Sequence, residues 1–187
     1  MSVDLFGIEP GSVARLSRAD YDRIVQAGLF EGKRIELVRG LLVDMSPQGP
    51  AHREVTRRLH ECLLTAVAGR AVLYVHSPFL ATEDSEPEAD LSVVPPGDYR
   101  GAHPTAAYLV VEVSNTSLHY DRTTKRDLYA DAGVPEYWVV DVNGLTVEVY
   151  DQLAERRYAR TRVFRRGDTL EPGALPGVRV SVDAFLG

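Results

Sequence analysis

Asp90, Glu112 and Lys125 are the residues whose types and surroundings could do chemistry. Asp90 and Glu112 fall at or inside apolar, strand-like runs, Ala89 to Val94 and Tyr108 to Val113. A carboxylate there must be paired or bound to a cation to be tolerated. Lys125 lies in a segment, Asp121 to Ala132, that reads as a helix with Asp121 as N-cap and Gly133 as stop. Positions 125, 128, 129 and 132 share one face of it, so a lysine joins the core-facing stripe of Leu128, Tyr129 and Ala132. Taken alone, such a lysine snorkels to water from the stripe's edge. With two strand carboxylates upstream, it points instead to a divalent-metal site.

The chemistry that fits is that of a hard cation. Mg²⁺, for which Mn²⁺ is the natural substitute, takes one or two carboxylates plus waters and substrate phosphates. Asp90 and Glu112 on neighbouring strands could supply the carboxylates and the Val113 carbonyl a further oxygen. Lys125 could orient or deprotonate the attacking water, or neutralise charge on a phosphate. These parts suffice for metal-assisted phosphodiester hydrolysis. Other chemistries lack their residues: there is no Gly-x-Ser-x-Gly elbow, Walker loop or dinucleotide fingerprint, and the five histidines match no zinc spacing.

The elements that must position this triad can be traced along the chain. Ser17 to Asp20 forms a capping box for a short helix ending at Gly28, and Ile35 to Met45 reads as a hairpin about Arg39-Gly40. Pro50 opens a long helix to about Gly69, with Val55, Leu59, Leu63 and Val67 as its apolar stripe. Strands follow at about 71–81, 89–94 and 107–113, then the Lys125 helix and a buried-type strand, 136–141. Asn143-Gly144 signals a hairpin into 145–150. A strand at 158–164 and an edge at 178–182 complete the series. The order predicts an α/β fold, a mixed central sheet flanked by helices, with all of 1–187 as one domain. Tyr137 and Trp138 read as core.

A single cysteine, Cys62, precludes an internal disulfide and fits a reducing cytoplasm, and its helical neighbours mark it as a packed thiol. No stretch approaches a membrane span, and Met1 to Gly11 has neither the basic start nor the apolar run of a secretory signal. The net charge of −6 argues against generic nucleic-acid binding. Charge is nonetheless uneven: six arginines stand between Asp151 and Arg166 against two acids. That stretch is either a solvated strand face or a phosphate-contacting patch.

The order of strands bearing Asp and Glu, then helix and strand, resembles the core of the PD-(D/E)xK nuclease superfamily. More narrowly, Tyr108-Leu-Val-Val-Glu112-Val-Ser114, then Asp121-x-x-x-Lys125-x-x-x-Tyr129, then Gly133-Val-Pro-Glu136-Tyr137-Trp138-Val-Val-Asp141 is similar to the Uma-type restriction-endonuclease family. The similarity runs from about Leu16 to Tyr150 and includes Glu36 to Gly40 and Met45-Ser46-Pro47 followed by His52. The resemblance implies metal ligation by Asp90 and Glu112, a catalytic-base position at Lys125, DNA as substrate and a homodimer. It also marks Glu36 and His52 as possible site-lining residues, whose bland alternatives are a solvated strand acid and a surface histidine. Two departures stand out: Ala89-Asp90 replaces Pro-Asp, and Ser114 occupies the slot two after the glutamate, the lysine having moved to the next helix. A non-catalytic DNA- or protein-binding module of the same fold, and a hydrolase of another phosphodiester such as RNA, are the rival expectations.

Overall fold

In a computed structural model, the structure describes residues 13–187. The stretch Met1 to Gly11, where no secretory signal was expected, lies outside the described residues. Helix α1 (Arg18–Gln26) opens on the expected capping box: the Asp20 N–H donates to Ser17 Oγ, and the Ser17 N–H to Asp20 Oδ2. Strands β1 (Ile35–Val38) and β2 (Leu41–Asp44) pair as the expected hairpin. Helix α2 (Pro50–Val67) begins with its proline in the first turn and ends before Gly69, whose φ of 73° breaks the helical path.

Six strands form the central sheet in the order β3-β4-β5-β6-β7-β8. They are β3 (Val72–Pro78), β4 (Glu88–Val94), β5 (Leu109–Ser114), β6 (Tyr137–Asp141), β7 (Thr146–Ala154) and β8 (Arg157–Phe164). β5 and β6 run parallel, joined by a helical crossover, and every other neighbouring pair is antiparallel. This is the mixed sheet the strand order predicts. The run Leu91, Val93, Leu109, Val111 and Val113 packs with the α2 stripe of Val55, Leu59, Leu63 and Val67. Val110, Val139 and Tyr137 pack with Tyr129 in a second cluster. Tyr137 and Trp138 are fully buried. Cys62 is half-buried at the rim of the first cluster, and burial raises its thiol pKa. Among the described residues no helix is long and apolar enough to cross a membrane.

Three local expectations need correcting. The Lys125 helix starts earlier than Asp121: α3 (Leu118–Tyr120) runs into a π-helical turn, Asp121–Lys125, and then α4 (Arg126–Asp131). Asp121 is therefore no N-cap but a buried residue inside the helix. The Asn143-Gly144 turn is a four-residue loop between the paired Asp141 and Thr146, because the Asp141 side chain accepts the Gly144 N–H and widens it. The expected edge at 178–182 lies off the main sheet: β10 (Val180–Ser181) pairs with β9 (Thr169–Leu170) and precedes α5 (Asp183–Leu186).

Candidate active site

Around Asp90 the backbone ladder is interrupted on both sides. The β4–β5 ladder ends at Leu91 and Val111, one step short of Asp90 and Glu112. On the other side, register passes from Val75↔Leu91 to Ser77↔Ala89 and skips His76, whose φ of 45° is a left-handed outlier for a non-glycine. Such strain persists only where surrounding structure enforces it, and it clusters at functional sites. Side chains take over the missing ladder bonds. The Val113 N–H donates to Asp90 Oδ2 at 2.8 Å, and the Asp90 N–H makes a longer bond, 3.4 Å, to Glu112 Oε2. Each strand is thus stitched to its neighbour by the other's carboxylate.

Asp90 is approached from the α2 side. His52 Nε2 lies 3.0 Å from Oδ2, while Gln48 Nε2 and His76 Nδ1 lie 3.1 and 3.3 Å from Oδ1. Burial works to raise the Asp90 carboxyl, yet the bonds from His52, His76 and Val113 hold it below the usual carboxylate range. Glu112 is approached from the other side: Tyr129 Oη donates to its Oε1 at 2.7 Å, and Lys125 Nζ lies 3.3 Å from the same atom. Lys125 makes its shorter bond, 2.6 Å, to Glu36 Oε2 on β1, which also accepts the Glu88 N–H. Burial pushes Glu112 well above the ordinary carboxylate range; Lys125 opposes this, and Asp90, Asp121 and Glu36 add to it. Lys125 moves up from its ordinary value: burial alone would lower it, but Glu112 and Glu36 outweigh burial.

The structure brings together all the residues singled out in the sequence. Asp90, Glu112, Lys125, Val113, Glu36 and His52 line one cavity of about 400 Å³. Glu36 is no solvated strand acid and His52 no surface histidine; both are buried. Sequence reasoning missed Asp121, Gln48, His76, Tyr120 and Tyr129 as parts of the site. Asp121 accepts bonds from Ser114 Oγ and Ser117 Oγ, both 2.6 Å, and burial raises its carboxyl. Its place one turn before Lys125 was a readable signal. Ser114, in the slot two after Glu112, thus orients a carboxylate of the cavity wall.

The cavity's charge is lopsided. Six carboxylates line it (Glu36, Asp44, Glu88, Asp90, Glu112 and Asp121) against the cations Arg34 and Lys125, a formal excess of four negative charges with His52 neutral. Arg34 is bonded to Glu88. Among the described residues no three His, Cys, Asp or Glu side chains are grouped as metal ligands. The donors that face the cavity are hard oxygens, suited to a hydrated Mg²⁺-type ion held by one or two of them.

The arginine-rich strand resolves into two parts. Arg160 and Arg162 both bind the buried Asp151, and Arg166 pairs with Asp183. Arg156 and Arg157, at the β7–β8 turn, form no ion pair among the described residues.

The chain's fold and sequence have relatives. The crystal structure of "a putative nuclease belonging to DUF820" from Anabaena variabilis superposes with a TM-score of 0.72 at 17% identity, over 91% of this chain and 97% of that one. That likeness establishes the fold. No curated protein matches the chain in sequence. The Uma2 family model, described as "Putative restriction endonuclease", matches residues 18–183. A match of that extent, over a site whose carboxylates and lysine meet in one cavity, carries a plain conclusion: the chain belongs to the Uma2 family and, at that level, to the nuclease-type hydrolases.

Proposed function

We propose that the protein hydrolyses DNA phosphodiester bonds with a divalent cation, Mg²⁺ or in its place Mn²⁺, at Asp90 and Glu112. The observation that carries this reading is the excess of carboxylates around one buried lysine. A phosphodiester could not enter so negative a cavity alone; a dication would offset the repulsion. The residues fit such an ion: Asp90 and Glu112 would hold it, with the Val113 carbonyl as a further oxygen and water and substrate completing the shell. The ion would polarise the phosphoryl oxygen and lower the pKa of bound water.

The chain's own residues prepare the site. His52, Gln48 and His76 fix the Asp90 carboxylate, and a cation there would compete with them for its oxygens. Tyr129 orients Glu112. Lys125, its pKa raised, is a cation near neutrality; that supports holding the attacking water and offsetting charge on the phosphate rather than acting as base. Glu36 sets the position of Nζ. The test is a calorimetric titration with Mg²⁺ followed by cleavage of a supercoiled plasmid. Metal binding and nicking by the parent, both lost in Asp90→Asn, are expected; metal binding without hydrolysis of DNA or RNA leaves a binding module.

A further inference from the structure

A second polar cleft, about 530 Å³, lies on the far side of the Lys125 helix, between α4 and the β7–β8 turn. Arg39, Arg126, Arg156 and Arg157 line it together with Asp127 and Asp131, a formal +2 beside the −4 of the acidic cavity. Arg39 is braced by Asp131 at 2.9 Å and Arg126 by Asp127 at 2.7 Å, and Arg126 lies 5.9 Å from the Tyr150 ring centroid. A guanidinium has five N–H donors, so a single carboxylate leaves some of them for a ligand. The turn adds an independent observation. Ala154 and Arg157 pair directly, leaving a two-residue loop in which Glu155 and Arg156 both have positive φ, 49° and 59°. That turn ordinarily goes to Asn-Gly or Asp-Gly. Here its second position is Arg156, and Arg157 follows at the start of β8; both line the cleft and form no ion pair among the described residues.

We propose that this cleft grips a backbone phosphate of the nucleic acid whose scissile bond lies in the acidic cavity, an inference that rests on the nuclease reading. A chain of net charge −6 needs a cationic foothold for a polyanion. This cleft gathers four arginines against two carboxylates, with Arg156 and Arg157 in no ion pair among the described residues, whereas Arg122 is held between Glu148 and Asp141 and Arg160 and Arg162 share Asp151. Planar guanidinium forks suit phosphate oxygens. The two cavities are lined by neighbouring residues: Lys125 and Arg126 are adjacent, and Arg39 stands three residues beyond Glu36 on the hairpin. The Cα atoms of Glu36 and Arg39 are therefore at most about 10 Å apart, within about three nucleotide steps of one strand.

The test uses the full chain, a fluorescent 20-base-pair duplex with Ca²⁺ held constant in place of Mg²⁺, and a salt series read by anisotropy. Arg156→Gln/Arg157→Gln should weaken binding about tenfold and reduce the steepness of log K against log salt by about one to two. Arg100→Gln, which removes an arginine paired with Asp98 elsewhere, should change neither. An unchanged slope in the double variant, or no duplex binding by the parent, overturns the proposal. Inorganic phosphate and a nucleoside 5′-monophosphate are titrated in parallel. If the double variant loses these but keeps the parent's DNA slope, the cleft serves a small phosphorylated ligand and the proposal falls. Mg²⁺-dependent cleavage is scored separately: cutting with an unchanged slope sinks the cleft alone, whereas a reduced slope without cutting keeps the phosphate grip and sinks the nuclease reading.

Discussion

Lys125 and Arg126 are neighbours in sequence, yet the first is sealed among carboxylates while the second opens onto a cleft with three other arginines. The difference lies in what each environment costs. The acidic cavity is built from buried groups that depend on one another: Glu36 and Glu112 share a single ammonium, and Asp90 takes its bonds from β5, α2, β3 and the loop before α2. Removing any member leaves another uncompensated. The basic cleft is made of three exposed arginines and the half-buried Arg126, braced in pairs or in no ion pair among the described residues, and surface pairs of this kind contribute little to stability. One region holds its charge by mutual burial, the other simply displays it.

The largest effect should come from breaking the mutual arrangement at its centre. Lys125→Met keeps aliphatic bulk but strands two buried carboxylates, so it should cost about 3–5 kcal/mol in chemical denaturation. Adding Glu36→Gln should recover part of that loss, because one of the stranded charges goes. Any cleavage should fall about 10²-fold or more in either variant. A lysine snorkelling from the stripe's edge would be replaceable without loss of folding; the 2.6 Å bond to Glu36 is what changes that expectation. If Lys125→Met is as stable as the parent, the cavity is not held by charge pairing.

Asp90→Asn should come next. It removes the formal charge, leaving an amide where His52, His76 and the Val113 N–H all face a carboxylate. Hydrogen bonds to a charged group contribute about 1.5–3 kcal/mol, so a loss of that order is expected. Mg²⁺ heats in calorimetry should vanish with it. The same site predicts a pH effect in the metal-free protein. The folded Asp90 pKa is depressed, so its contribution is present above the unfolded value, about 3.9, and is lost as pH falls through the folded one. Thermal melts from pH 6 downward should therefore decline less steeply in Asp90→Asn than in the parent. Parallel declines would show that Asp90 is not held by its histidines.

How much of this was legible follows the same division. The strand carboxylates and the lysine stripe were readable because a charge on an apolar face violates local pattern, and the sheet followed from the order of strands and helices. Glu36 and His52 were weaker signals: Glu36 meets Lys125 across 89 positions, a contact no local rule encodes. His76 carried no signal at all, since its role depends on a skipped register and a left-handed backbone. Asp121 was misread because an acid before a helical stripe resembles a cap, and the π-helical turn that carries it inside is set by packing rather than propensity. In the arginine stretch, composition showed the charge but not that Arg160 and Arg162 share Asp151.

The smallest expected effect sharpens the comparison from its other side. Arg156 and Arg157 sit on an exposed turn and form no ion pair among the described residues, so replacing both with glutamine removes no buried contact. Their loss should leave the denaturation midpoint at the parent's value across pH 5 to 8, because no carboxylate is stranded. Replacing Glu155-Arg156 with Asn-Gly should go further and raise the midpoint slightly, since those residues accept the positive φ that Glu155 and Arg156 adopt under strain. That variant keeps Arg157 and loses one cleft arginine together with Glu155, so the net charge is unchanged and DNA binding should weaken through the lost guanidinium contact alone while stability rises. A midpoint that falls in either variant would mean that the turn is part of the folding core, and the contrast between a cavity that holds charge by burial and a cleft that displays it would fail.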